Sequence, residues 1–245
     1  MDVLYVVGKA SSARNWGDLR WSLRSLASRG RNLGRVIVAG FPPPWLRNAE
    51  PVHIGDLPGR GKHANILNCI LRCADAGIVR GEFLYSSDDH YLLAPRDLDR
   101  WPFVRRPLEW GPMRGGNDWK RSVEATRALL EANGYPTVRF DMHRNTRLDT
   151  YDAAEVRRLS ESAFNQFGYE PTDLFTNVRL KREPGLPVRI GSDHKGGGSP
   201  AETVSTFAAS VAGRSEFSTS DAAARIPGFA AWMDALYPDK SPYER

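Results

Sequence analysis

In the first hundred residues, short apolar segments alternate with amphipathic ones, and that alternation limits the chain to a few architectures. Asp2 to Val7 reads as a strand, and Asp18 to Arg29 as a helix with Leu19, Leu23 and Leu26 on one face. Arg35 to Ala39 reads as a second strand. Three prolines in Phe41-Pro42-Pro43-Pro44-Trp45 must break regular structure. Pro51 to Ile54 then gives a third strand, His63 to Ala74 a helix with Ile66, Ile70 and Cys73 aligned, and Glu82 to Ser86 a fourth strand. Strands separated by helices predict an α/β fold with a mixed, mainly parallel sheet flanked by helices.

Past Asp97 the pattern loosens. Arg105 to Asn117 holds two prolines and three glycines and reads as a loop or lid. Helices are predicted over Val123 to Asn133 and Asp152 to Phe167, with Ala153, Val156, Leu159 and Ala163 spaced for burial. The glycine-rich Gly191 to Ser199 follows, and Ile226 to Leu236 reads as a short amphipathic helix. No period of 20 to 50 residues recurs, which excludes solenoids and propellers. A length of 245 residues, 41% of them hydrophobic, fits one domain with its own core. Residues 1–100 would form a nucleotide-donor half and 101–245 an acceptor half that completes the site.

No apolar run approaches the ~18 to 20 residues that span a bilayer, and the Met1 end carries no basic leader, so a cytoplasmic protein is expected. Cys69 and Cys73, four apart on one predicted helix, are poorly placed for a disulfide and read as buried structural thiols. Lysine and arginine number 34 against 29 acidic residues, a net charge of +5. That balance allows a polyanionic partner.

The sharpest chemical feature is Phe83-Leu84-Tyr85-Ser86-Ser87-Asp88-Asp89-His90, an apolar strand delivering two adjacent carboxylates at its carboxyl end. Open α/β sheets bind ligands at that edge. Paired acids repel unless a cation offsets them, and Mg²⁺ or Mn²⁺ takes one or two carboxylates plus phosphate oxygens. A solvated turn with one aspartate capping a helix is the plainer reading. Gly8-Lys9 after the first strand would let a nucleotide approach the backbone while the lysine neutralises phosphate, or would simply be a tight turn. Gly59-Arg60-Gly61-Lys62-His63-Ala64-Asn65 joins two glycines and two cations to a helix start, an arrangement that attracts anions, although it lacks the Walker spacing. His143, between polar neighbours, is a candidate metal ligand or acid/base. His194 lies in the glycine-rich loop, which could close over phosphates or be a surface turn, and Asp221 could serve as a base, complete a metal shell or cap a helix.

In its order of segments the chain resembles nucleotide-sugar glycosyltransferases of the GT-A type and, more specifically, the Stealth family of sugar-phosphate transferases. Leu19-Arg20-Trp21-Ser22-Leu23-Arg24-Ser25 resembles the first family helix, followed by a strand and Pro44-Trp45-Leu46. Phe83 to His90 resembles the aromatic-rich strand with its acidic pair, and Met142-His143 falls where the family places a functional histidine. Ser220-Asp221, Leu236-Tyr237-Pro238 and Ser241-Pro242-Tyr243-Glu244 resemble the closing segment.

The resemblance implies a metal held by Asp89, with His143 as a second ligand candidate, and a nucleotide-sugar donor bound by Gly8, Lys9, Lys62, Asn65 and Asp88. Asp221 or His143 would deprotonate or orient an acceptor hydroxyl on a glycan or on DNA. Transfer of sugar 1-phosphate is the Stealth alternative. A non-catalytic nucleic-acid-binding module is a third reading, with Arg105, Arg106, Arg114, Lys120 and Arg121 on phosphates and Trp110 and Trp119 stacking on bases, unless that stretch is a lid whose rings pack inward.

Overall fold

The computed structural model describes residues 1–9, 16–106, 117–140, 145–191, 195–196 and 202–245. The predicted strands appear as β1 (Asp2–Val7), β3 (Val36–Gly40), β4 (Glu50–His53) and β5 (Glu82–Ser86). They form a five-stranded sheet in the order β4-β3-β1-β5-β9, with β9 (Thr146–Asp149) at the far edge. The first four run parallel, and β9 is antiparallel to β5. The mixed, mainly parallel sheet expected from the sequence is therefore present.

Strand side chains alternate between two faces, and each face has its own core. Val3, Tyr5 and Val7 pack with Leu19, Leu23 and Leu26 of α1 (Gly17–Arg29). Leu4, Val6, Phe83 and Tyr85 pack on the opposite side. That side is covered by α2 (Lys62–Asp75), α3 (Asp118–Ala132), α4 (Thr150–Ser162) and α5 (Pro171–Arg182). Asp18 in the first turn of α1 and Arg29 in its last complement the helix dipole.

Two short strands, β2 (Gly30–Arg31) and β7 (Arg96–Asp97), pair beneath α1, while β8 (Phe103–Arg105) pairs with β10 (Val188–Ile190). The chain then builds a second layer. β6 (His90–Leu92), immediately after the acidic turn, pairs antiparallel with β12 (Glu216–Thr219), which is flanked by β11 (Lys195–Gly196). Its aromatic core joins Tyr91, Phe207, Phe217, Phe229 and Tyr237, drawing on α6 (Val204–Val211) and α7 (Phe229–Leu236).

Several predicted boundaries shift for physical reasons. The helix expected over Val123 to Asn133 begins five residues earlier, because the Asn117 side chain accepts from the Lys120 amide and caps it. The helix expected to reach Phe167 stops at Ser162. The one expected from Ile226 starts at Phe229, after Pro227 and a left-handed Gly228 (φ 81°). α5 was not foreseen: Thr172, Asp173, Thr176 and Asn177 are all buried, so no apolar stripe marks it. Most of the predicted loop or lid, 107–116, lies outside the described residues.

Candidate functional site

Counting only the parallel strands in chain order, the sheet runs 3-2-1-4, and the order reverses between β1 and β5. Chains leaving two such neighbours diverge to opposite faces and open a crevice at their carboxyl ends, which is where open α/β sheets take ligands. Here the neighbours meet at Tyr5↔Ser86. β1 then yields the exposed Gly8 and Lys9, and β5 yields the half-buried Ser87, Asp88 and Asp89. Among the described residues, nothing lies within 4 Å of where a Cβ on Gly8 would stand.

The second layer brings in the rest. The Thr219 amide donates to the Asp89 carbonyl at 3.1 Å, continuing the β12–β6 ladder past His90, with exposed Asp221 two residues further along the chain. Asp221 does not cap the short helical turn Ala223–Arg225, whose cap position is Ala222; the Ser220 hydroxyl accepts from the Ala222 amide instead. Sequence reasoning missed Asp18. Its carboxylate accepts from the Tyr91 hydroxyl at 3.3 Å, so the start of α1 carries a third carboxylate to the same edge. An acid in a first helical turn ordinarily signals only a helix start, which is why nothing in the sequence singled it out.

Three buried phenols lie near the acidic turn. Burial pushes Tyr5 up to about 12, reinforced by Asp88 and moderated by hydrogen bonds to Ser22 and Ser86. Burial likewise raises Tyr85, with Glu170, Asp89 and Asp88 adding to the effect, and raises Tyr91, with Asp18, Asp89 and Asp88 adding to it. All three stay neutral across physiological pH and remain hydrogen-bond donors. These phenols lie in three different cores, Tyr5 and Tyr85 on opposite faces of the central sheet and Tyr91 in the second layer, and none adds negative charge near the carboxylates.

His90, next in the chain, has Nε2 3.9 Å from Asp89 Oδ1 and Nδ1 2.9 Å from Asn145 Oδ1. Trp101 Nε1 donates to the Asn145 carbonyl at 2.7 Å. Asn145 and Phe140, whose amide donates to buried Asp173 at 2.6 Å, are therefore both fixed in the interior. His143 lies between them, outside the described residues, as does His194. Arg139 faces Asp173 across 3.1 Å with both side chains buried, and Glu170, raised by burial and then by Asp173, caps α5 through the Asp173 amide at 2.7 Å. Trp119 is half-buried, with its ring 5.9 Å from the Arg139 guanidinium. Arg105 and Arg106 are half-buried as well; Arg114 and Trp110 lie outside the described residues.

The start of α2 is engaged by protein. The Gly61 amide donates to the Gln166 carbonyl at 2.7 Å, and Gly168, at φ 78°, packs so closely that a Cβ there would overlap the Ala64 amide nitrogen. Asn65 Oδ1 accepts from the Leu57 amide at 2.8 Å, so Asn65 closes the loop ahead of its own helix. Lys62 is exposed, and burial, then Lys62, lowers His63 to about 4, leaving that ring neutral. Cys69 and Cys73 are buried free thiols, raised by burial to about 11 and about 12, as the sequence led us to expect.

Among the described residues, no three His, Cys, Asp or Glu side chains are grouped to hold a metal ion, and no helix is long and apolar enough to cross a membrane. Compared with known proteins, the chain matches no protein-family model, and no curated sequence matches it significantly.

Proposed function

We propose that the chain is a metal-dependent glycosyltransferase of GT-A-like architecture that moves a sugar from a nucleotide-sugar donor to a hydroxyl acceptor. The observation that carries this reading is the position of Asp88 and Asp89 beside Gly8 and Lys9 where the strand order reverses. The donor set fits a hard divalent ion. Such an ion keeps several waters and needs only one or two carboxylates once substrate phosphates complete its shell, so a pair of half-buried aspartates is enough.

Mg²⁺ or Mn²⁺ held by Asp89 would neutralise the charge that develops on the leaving diphosphate. Asp88 orients the donor through ribose or water contacts. Lys9 supplies fixed positive charge toward the phosphates, and Lys62 extends it from the α2 start. Asp221, two residues after the Thr219 that hydrogen-bonds the Asp89 carbonyl, deprotonates or orients the acceptor hydroxyl, a role worth ~10² to 10⁴ in rate. His143 is the second candidate for that role.

Purified protein with Mn²⁺ should release nucleotide from a nucleotide sugar in the presence of acceptor. Asp89→Asn should lower that turnover by at least about 100-fold while far-UV circular dichroism stays unchanged. Undiminished turnover in Asp89→Asn would remove Asp89 from the mechanism. Release of nucleoside monophosphate with phosphate retained on the product would assign the chain to sugar 1-phosphate transfer.

A further inference from the structure

α4 ends at Ser162, and the four residues that follow Ala163 lead back toward the sheet edge with two phenylalanines on a largely polar loop. Phe164 is 77% exposed. The Arg60 guanidinium stacks 4.0 Å from the centre of that ring and also donates to the Asn165 carbonyl at 3.3 Å. Three residues on, the half-buried Phe167 ring carries the Arg121 guanidinium at 4.8 Å. Two arginine–phenylalanine pairs thus stand side by side on one loop, held by the starts of α2 and α3.

The charge around them is mainly positive, although Asp56 lies just ahead of the first segment. Residues 57–62 and 117–121 contain Arg60, Lys62, Lys120 and Arg121 against Asp118 alone. Asp118 and Glu124 engage Arg121 and Lys120 at 3.8 and 3.6 Å. Neither Arg60 nor Lys62 has a carboxylate partner among the described residues. The patch also lies on the candidate site's edge of the molecule. α2 starts shortly after β4, which runs parallel to β3 and β1, so its start and the 163–168 loop bound to it through Gly61 lie on the side of the sheet where the strands end.

One exposed and one half-buried ring, each stacked by a guanidinium, with Arg60 and Lys62 lacking a carboxylate partner among the described residues, suit a chain alternating flat bases with phosphates. Bases stack on phenyl and guanidinium faces alike, and phosphates take the remaining charge. An apolar protein partner would have to bury those cations without a counter-charge. We propose that the loop 163–168 with Arg60, Lys62 and Arg121 binds single-stranded nucleic acid. This surface deepens the transferase reading by supplying its acceptor: the strand would be held with a base-borne or sugar-borne hydroxyl presented to the Asp88–Asp89 edge.

Binding of a fluorescein-labelled mixed-sequence 20-nucleotide DNA strand, followed by anisotropy over a series of salt concentrations, tests the proposal. Affinity should fall as salt rises. Phe164→Ala, at an exposed position, should weaken binding about 5- to 150-fold while leaving the melting temperature unchanged. Arg60→Gln should weaken binding and flatten the salt slope, whereas inorganic polyphosphate, which has no bases, should compete poorly. Wild-type affinity in Phe164→Ala, or polyphosphate competing as well as the strand itself, overturns the proposal, because charge alone would then account for binding. Absence of strand binding at low salt also overturns it, and binding confined to the annealed duplex replaces it with a duplex-binding surface. Asp89→Asn should bind the strand like wild type, so failure of the transferase reading and failure of this one register in different measurements.

Discussion

Asp88 and Asp89 could be read from the sequence because two adjacent acids after a run of buried β residues are costly unless something uses them. Asp18 could not, because a carboxylate in a first helical turn stabilises the helix and needs no further reason. Only the fold, by bringing the Tyr91 hydroxyl 3.3 Å from it, shows that it shares the acidic edge. Gly196 is the opposite case: in the sequence it is one glycine of a flexible run, yet a Cβ there would overlap the Phe207 ring at the centre of the second aromatic core. Gly196→Ala should therefore destabilise the protein by about 1–3 kcal/mol, the usual cost of overpacking, measured by urea unfolding. An unchanged midpoint would mean that β11 and α6 can separate without loss. Because β12, which bears the Asp221 turn, lies between β11 and β6, the same substitution should also impair the acceptor side of the site.

Among the elements, α1 and α2 were legible because each carries one apolar stripe, and the central parallel strands because they are short apolar runs buried on both faces. α5 was not, since its first nine residues, polar ones included, are all buried. Asn177, for example, donates to Val138 and accepts from its amide, stitching α5 to the segment before Arg139. The closing segment is similar. Glu244 stands among polar residues with no apolar pattern to mark its burial, yet it is fully buried and bound by Arg24 at 2.9 Å and Arg20 at 3.2 Å, with Ser241 donating to it as well. It ties the 241–245 segment to α1, while Leu46 pairs with Glu244 across an antiparallel bridge. Burial alone would raise this carboxyl, but Arg24 and Ser241 outweigh it and hold Glu244 below the usual carboxylate range. A depressed folded pKa adds stability above the unfolded value near ~4.3 and loses it as pH falls through the folded value. Glu244→Gln should cost about 3 kcal/mol at pH 7 and flatten the acid limb of the stability curve below roughly pH 4.3. An acid limb identical to wild type would place that pH dependence elsewhere.

At the scale of the whole molecule, the site is a consequence of topology more than of any motif. Because β3 lies on one side of β1 and β5 on the other, the chains leaving β1 and β5 diverge, and the turn after each faces the gap between them. The alternation in the first hundred residues predicted a parallel sheet but not its strand order, which depends on where each crossover returns and leaves no mark in local periodicity. The antiparallel β9 and the second layer were equally hidden, since they form by pairing segments far apart in the chain: Glu82 with Asp149, and Leu92 with Glu216. If the gap is where a nucleotide diphosphate and its ion bind together, ligand binding must stabilise the entire fold, because both walls belong to the central sheet. A ligand at a hundredfold excess over its Kd adds about 2.7 kcal/mol, and in a chain of this size each kcal/mol raises the melting temperature by roughly 2–4 °C. A nucleotide diphosphate or nucleotide sugar should thus raise Tm by roughly 5–10 °C with Mn²⁺ present and much less without it, and Asp89→Asn should abolish the difference. A rise of equal size with and without Mn²⁺ would mean that the phosphates are held by the lysines alone. No rise with any nucleotide would leave the crevice without its proposed ligand while the sheet around it stands.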